Sequence, residues 1–392
     1  MTGIAAGKPR RRRDMRPGGR ESGGAGGRSL SWRKQKSVLI YEALTQDPVD
    51  VETLREAAVT EGGLLSQEIR RRVWPKLLNI NVYSLPPKPG PALRANHRDC
   101  NQVLMDVRRS LKRFPAGMVE AERCALQEQL VDMILFVLGC HPQLHYYQGY
   151  HDVAVTLLLT VGLRLGTAML QTLSTHHLRD FMDPTMERTR SVLNYLMPLI
   201  QSESPTLHEF LIRSEVGCIF ALSWLITWYG HVLSDLHQVL RLYDFFLASH
   251  PLTPVYCAAQ MVLMREEEVL RGVCDMPTIH QLLSRIPPDF PYETLISRSR
   301  SFFQRRPPCE LPPLHSISAA SFHSLQISSA QQRPDFVLRQ QGTRPSDVPP
   351  ARPQNTLVKL AVWGISASLG AAALAVTQTA LEWGPDLLLR LF

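Results

Sequence analysis

The stretch Cys124-Ala-Leu126-Gln-Glu-Gln-Leu130-Val131-Asp-Met-Ile134-Leu-Phe-Val-Leu138 decides the fold class. Leu126, Leu130, Ile134 and Leu138 recur every four residues with Val131 beside them, which is the period of a helix with one buried apolar face. Gly139 and Pro142 then stop it. Working outward, residues His151–Leu165, Leu207–Arg213, Ile219–Tyr229, Leu236–Ala248 and Val255–Leu270 carry the same kind of pattern. Pro205, Gly217, Gly230, Pro251, Pro254 and Gly272 punctuate them. Sustained period-2 alternation is scarce, and no Asn-Gly or Asp-Gly turn signals a hairpin. The spacing predicts one all-α domain over residues 36–305, with no repeat at a solenoid period.

The ends differ from this middle. The chain has 392 residues, 43 Lys+Arg and 35 Asp+Glu, a net charge of +8. Residues 1–40 alone hold 11 Lys/Arg, including Arg10 to Arg13, against Asp14 and Glu21. The remaining chain is therefore close to neutral, so the basic balance marks a tail and no nucleic-acid partner is expected. No apolar run follows the basic start, so it is not a secretory signal. Glycines such as Gly18-Gly19 and Gly23-Gly24-Ala25-Gly26-Gly27 predict disorder to about Ser31, and residues 1–35 are assigned to a disordered basic tail. Seven cysteines without a CxxC pair argue against a disulfide scaffold or a zinc ribbon. Hydrophobic content of 44% supports a sizeable core and excludes both a wholly disordered chain and a polytopic membrane protein.

Residues 306–356 hold nine prolines among Ser and Gln and read as a linker, with a short helix near Ser321–Arg333. As a flexible coil its 51 residues would reach roughly 40 Å. Leu360–Leu381 follows: 22 residues without a charge, between Lys359 and Glu382. As a helix it is about 33 Å long, matching a hydrocarbon core of roughly 30 Å. Trp363 and Trp383 stand at its ends like interfacial anchors. Arg333, Arg339, Arg344, Arg352 and Lys359 precede it, and only Arg390 follows, so the large domain is expected in the cytosol. With residues 382–392 as a short lumenal tail, the pattern is that of a single-pass tail anchor. Gly364, Ser368 and Ala372 form a small-xxx-small line suited to weak self-association, a spacing that also arises by chance in an Ala-rich helix.

No phosphate loop, GxGxxG or GxSxG is present. His176-His177 and the His145/His151 pair lack HExxH spacing and read as core or surface histidines, not metal ligands. Three short stretches stand out. Arg70 and Trp74 are i,i+4 neighbours in Glu68-Ile-Arg70-Arg-Arg-Val-Trp74, which singly is a core Trp with an Arg stacked on it. Asp106 and Arg109 are i,i+3 in Val103-Leu-Met-Asp106-Val-Arg-Arg109, which singly is an ordinary surface ion pair. Tyr146-Tyr-Gln148-Gly149 sits between Pro142 and the next helix, which singly is a packed turn. Together, an Arg and a Gln on different elements are the two side chains that a small GTPase needs from outside. The GTPase already holds Mg²⁺ and the phosphates. It lacks a cation for the transition-state charge and an amide to orient the attacking water.

The three stretches resemble the three signature motifs of the TBC-domain Rab GTPase-activating proteins: Arg70-x-x-x-Trp74, Val103-x-x-Asp106-x-x-Arg109 and Tyr146-x-Gln148-Gly149, with Val103 where Ile is usual. Phe220-Ala-Leu-Ser-Trp224 and Arg241-Leu-Tyr243-Asp244 resemble later helices of that domain, with Tyr243 where Trp is more usual. The resemblance covers about Gly62–Arg305. It implies an all-helical fold in which Arg109 is an arginine finger and Gln148 a glutamine finger. Asp106 would aim Arg109, Tyr146 and Gly149 would shape the loop of Gln148, and Arg70 and Trp74 would support the site. It implies a GTP-bound Rab as partner and no cofactor of the chain's own, since Mg²⁺ and GTP arrive with the Rab. With the tail anchor, it implies the endoplasmic reticulum membrane and traffic toward the Golgi. A non-catalytic, membrane-anchored Rab-binding adaptor is the rival expectation.

Overall fold

The computed structural model describes residues 24–115, 117–311 and 316–341. The expected span at residues 360–381 and residues 1–23 of the basic tail lie outside them. Among the described residues there are eighteen α-helices and no strand, as the periodicity predicts.

The first three helices are α1 (Gly24–Thr45), α2 (Val51–Val59) and α3 (Gln67–Leu77). Asp50 and Ser66 begin α2 and α3 by accepting from the backbone N–H of Thr53 and Ile69, groups that have no partner inside the helix. Helix α1 corrects the expected tail boundary, because it starts at Gly24, inside the glycine-rich stretch. Its later turns are fixed from outside: Ile40 and Ala43 are buried, and Lys36 Nζ donates to Thr60 Oγ1 (3.0 Å) and the Glu61 carbonyl (2.7 Å). Once those turns exist, each further residue adds a hydrogen bond without a new nucleation cost.

The middle of the chain forms α4 (Cys100–Arg109), α5 (Glu120–Cys140), α6 (Tyr150–Val161), α7 (Leu163–Thr175), α8 (Glu187–Leu193), α9 (Leu196–Glu203), α10 (Pro205–Arg213) and α11 (Leu222–Ile226). The helix expected over 151–165 breaks at Gly162 into α6 and α7. The one expected over 219–229 is a 3₁₀ turn plus α11, and the chain then bends through left-handed Trp228 and Tyr229. Helix α6 is apolar nearly all round because it packs against α3, α5 and α7.

The remainder comprises α12 (Leu236–Ala248), α13 (Thr253–Leu263), α14 (Glu266–Leu270), α15 (Met276–Ser284), α16 (Tyr292–Arg305), α17 (Ile317–Ser329) and α18 (Asp335–Gln341). The stretch expected as one helix over 255–270 divides between α13 and α14. Helix α13 lies between α9 and α16 at the core's centre. Trp74, Trp224, Trp228, Tyr229, Phe245 and Phe246 are fully buried. Each such side chain stabilises the fold by roughly 1.5–3 kcal/mol through the apolar area it removes from water.

The expected linker over 306–356 is corrected through residue 341. Ser318, Phe322, Leu325 and Ser329 recur at helical spacing and are buried on one face of α17. Asp180 caps that helix, accepting from Ser316 Oγ (2.7 Å), Ile317 N (3.0 Å) and Ser318 Oγ (2.8 Å). Arg55 Nη2 donates to Ser329 Oγ (3.1 Å), and buried Lys76 reaches Asp335 (2.7 Å) and the Arg333 carbonyl (2.8 Å). The composition misleads because half the inward face is serine. Ser329 satisfies its hydroxyl on the Leu325 carbonyl of its own helix (2.8 Å), so it buries without an unpaired donor.

Candidate functional site

The site forms where α4 ends beside the loop that enters α6. Val103 and Val107 bury one face of α4, and Asp106, between them and the surface, is only 2% exposed. Its carboxylate is shared three ways. Arg109 Nη2 and Gln102 Nε2 (3.1 Å) donate to Oδ1, and Tyr146 Oη donates to Oδ2 (2.9 Å). Arg109 itself has a side chain 57% exposed. A guanidinium is thus held from beneath by a buried anion while its outer face meets solvent. Exposure screens the pair, so it contributes little to stability and much to direction.

The loop of Gln148 is pinned on both sides. Tyr146 reaches Asp106 as above, and Tyr147 Oη donates to the Ile226 carbonyl (2.8 Å). Both tyrosine rings meet Tyr150 edge-on, at 6.2 and 5.5 Å between centroids. His145 N donates to the Met182 carbonyl (2.9 Å), and Arg98 Nη2 to the Leu144 carbonyl (2.8 Å). Gly149 turns the chain into α6 with φ of +103°, and a Cβ there would stand 2.8 Å from Thr227 Cγ2. Any other residue would be strained in that backbone and would collide with the neighbouring loop. Gln148 lies half-buried between these anchors.

Arg109, Asp106, Tyr146, Gln148 and Gly149 are therefore gathered at one edge. Arg70 and Trp74 serve elsewhere. Arg70 does not stack on the indole: Arg70 Nη2 (2.8 Å) and Nε (3.0 Å) and Trp74 Nε1 (2.9 Å) all converge on fully buried Asp244 of α12. Leu64 N donates to the same carboxylate (3.0 Å). Gly63 permits that approach, since a Cβ there would stand 2.5 Å from Asp244 Oδ2. This hub fixes α3 against α12 and reaches the site only through the core.

Sequence reasoning missed a second polar layer under the arginine and glutamine. Asp152 of α6 is 1% exposed. Arg113 Nε lies 3.2 Å from its Oδ1, and His231 Nδ1 3.3 Å from Oδ2. Arg113, in the 3₁₀ turn Ser110–Arg113 that follows α4, also donates to the Gly230 carbonyl and to Thr156 Oγ1 (3.0 Å), tying that turn to α6 and to the turn after α11. Burial would raise the Asp152 carboxyl, but His151, His231 and Arg113 outweigh it and lower its pKa to about 2. Burial lowers the His151 imidazole below its ordinary value, with Arg113 and His231 adding to that and Asp152 and Asp106 opposing it. The signal available in sequence was Asp152 followed at i+4 by Thr156, polar positions inside an otherwise apolar helix. His177, by contrast, is a core histidine between the rings of Trp228 and Phe322, at 5.7 and 4.9 Å, and burial pushes its pKa well down.

Comparison with known proteins gives a family. The Rab-GTPase-TBC domain model matches residues 67–270, which include every candidate site residue. The chain is 56% identical over 374 residues to TBC1 domain family member 20 of Homo sapiens, covering 92% of this chain and 93% of that protein. It is 33% identical over 297 residues to the GTPase-activating protein gyp10 of Schizosaccharomyces pombe, covering 75% of each. The crystal structure of the Ypt/Rab-GAP domain of Gyp1p shares the fold, with a TM-score of 0.55 at 15% identity over 69% of this chain and 98% of that one.

Proposed function

The chain belongs to the Rab-GTPase-TBC domain family and is a GTPase-activating protein of the Rab-directed kind; on that premise we propose that Arg109 and Gln148 are the side chains it inserts into the nucleotide site of a GTP-bound Rab. The observation that carries this is the Asp106 bridge, which joins the helix of Arg109 to the loop of Gln148 through Tyr146. Arg109 supplies the cation for the charge that develops on the transferring phosphoryl oxygens, and Asp106 aims it. Gln148 supplies the amide that orients the attacking water. GTP and Mg²⁺ are the Rab's and arrive as substrate. Fixed donors of this kind act where charge develops and need little reorganisation at that moment.

Gln148→Ala should lower stimulated phosphate release by at least about a hundredfold, the scale of losing one preorganised transition-state donor. The decisive arm uses a panel of GTP-loaded Rabs whose own switch glutamine has been replaced. If Gln148 acts in trans, the full-length protein still stimulates such a Rab in part, and the Gln148→Ala protein does not. Complete resistance of the mutant Rabs to the parent protein would remove Gln148 from the mechanism.

We further propose that Leu360–Leu381 is a single membrane span holding the large domain on the cytosolic face of the endoplasmic reticulum, where the Rab would serve early secretory traffic. Its support is the 22-residue uncharged length, the terminal tryptophans and the basic upstream flank. Deleting residues 357–392 should release the protein from membranes at alkaline carbonate, whereas the basic N-terminus offers only about 1 kcal/mol per cation at an anionic surface. Carbonate-resistant association of the truncated protein would place the anchor elsewhere.

A further inference from the structure

The hydroxyl of Tyr146 has one hydrogen to give, and two buried groups face it. Asp106 Oδ2 lies at 2.9 Å and His151 Nδ1 at 3.3 Å. A carboxylate only accepts, so the hydrogen belongs to Asp106 and the tyrosine oxygen must accept from the imidazole. This network assigns the His151 proton to Nδ1; Nε2 lies 3.7 Å from Asp152 Oδ2, too far for a hydrogen bond to that carboxylate to compete for it. The opposite tautomer would set a lone pair against the tyrosine oxygen and free its hydroxyl to turn from Asp106 to the histidine. His151 is 8% exposed, so water cannot readily take the place of its donor.

We infer that His151 is a positioning residue: its Nδ1–H holds the Tyr146 hydroxyl as a donor to Asp106, and thereby sets where Asp106 aims Arg109. This deepens the reading of Arg109 as the inserted cation and rests on it. Asp106 has two further donors on its other oxygen, Arg109 and Gln102, so losing the tyrosine donor frees the carboxylate to rotate and take the guanidinium with it. Displacements of about 1 Å in such a site can cost roughly a hundredfold in rate.

Two substitutions isolate the donor. In His151→Asn the amide nitrogen can occupy the place of Nδ1 and still donate to Tyr146. In His151→Gln the amide extends to the place of Nε2 and leaves that position without a donor. Single-turnover phosphate release from a GTP-loaded Rab, at saturating full-length protein, should fall roughly ten- to a hundredfold for His151→Gln and stay within about threefold for His151→Asn. The protein concentration giving half-maximal rate should change little for either, because aim is lost and not the docking surface. His151→Phe, which keeps a ring and removes both nitrogens, should behave like the glutamine variant. The inference is overturned if the glutamine and phenylalanine variants turn over at the parent rate, or if asparagine falls as far as glutamine, which would make the ring's packing the cause. Arg109→Ala run alongside separates the two levels. Undiminished stimulation by that variant overturns the reading of Arg109 and this inference with it. A large loss there with an unaffected His151→Gln overturns the inference alone.

Discussion

Arg109→Ala should remove roughly a thousandfold or more of the stimulated hydrolysis rate while leaving affinity for GTP-bound Rab within about tenfold. The split follows from where the guanidinium sits. More than half of it is in solvent, so the free protein gains little from it. In the proposed role its use would come when the Rab closes over it, water is excluded and charge develops on the phosphoryl oxygens. Arg109→Lys should not restore the rate, because an ammonium is a point charge and cannot span two oxygens as a planar fork does. Single-turnover phosphate release with a separate binding titration measures both quantities. A near-parental rate for Arg109→Ala would pass the role to its exposed neighbour Arg108.

Asp244→Ala should be the most destabilising single change predicted for the chain, at about 3–5 kcal/mol. It leaves the Arg70 guanidinium, the Trp74 indole N–H and the Leu64 amide buried together without their acceptor. For a domain of this size that corresponds to a fall in melting temperature of roughly 10 °C. Asp244→Asn should cost less, since the amide keeps one acceptor oxygen, but it adds a donor pair facing a cation. Thermal unfolding followed by far-UV circular dichroism gives the comparison. A shift under about 2 °C for the alanine variant would mean that α3 and α12 are held together by their apolar contacts alone.

These two residues also mark what could and could not be read in the sequence. Asp106 and Arg109 were legible because both lie on one short helix at a spacing that lets them meet. Gln148 was legible from spacing only as part of a loop between Pro142 and Gly149; the finger roles of Gln148 and Arg109 came from the resemblance of the three motifs together. Arg70 was legible only as a buried neighbour of Trp74. Its partner Asp244 lies 174 residues away, and no local pattern encodes a contact that the packing of α12 on α3 creates. His151 was set aside as a structural histidine, because its part depends on the direction of one tyrosine hydrogen, which is a property of three elements at once. Helix α17 was expected only as a short helix within a linker, and its burial against the body was missed for a different reason. Hydrophobic periodicity cannot see a buried face built partly of serine, whose hydroxyls are satisfied by their own helix and by Asp180.

That strap of α17 and α18 changes the mechanics of the leash. The described fold continues to Gln341 and does not stop near Arg305, so at most 18 residues, 342–359, remain between it and the proposed span instead of 54. Even drawn out fully, 18 residues cover no more than about 60 Å, against roughly 180 Å for 54. The hemisphere that the body can sweep above the bilayer shrinks in volume by about 27-fold, the cube of that ratio. The last described helix is also held in place, because Asp335 of α18 is latched to Lys76 at the end of α3. Anchored in the proposed way, the domain would then sample a shallow, oriented layer next to the lipid and favour Rabs whose own lipid tethers hold their nucleotide face at the same height.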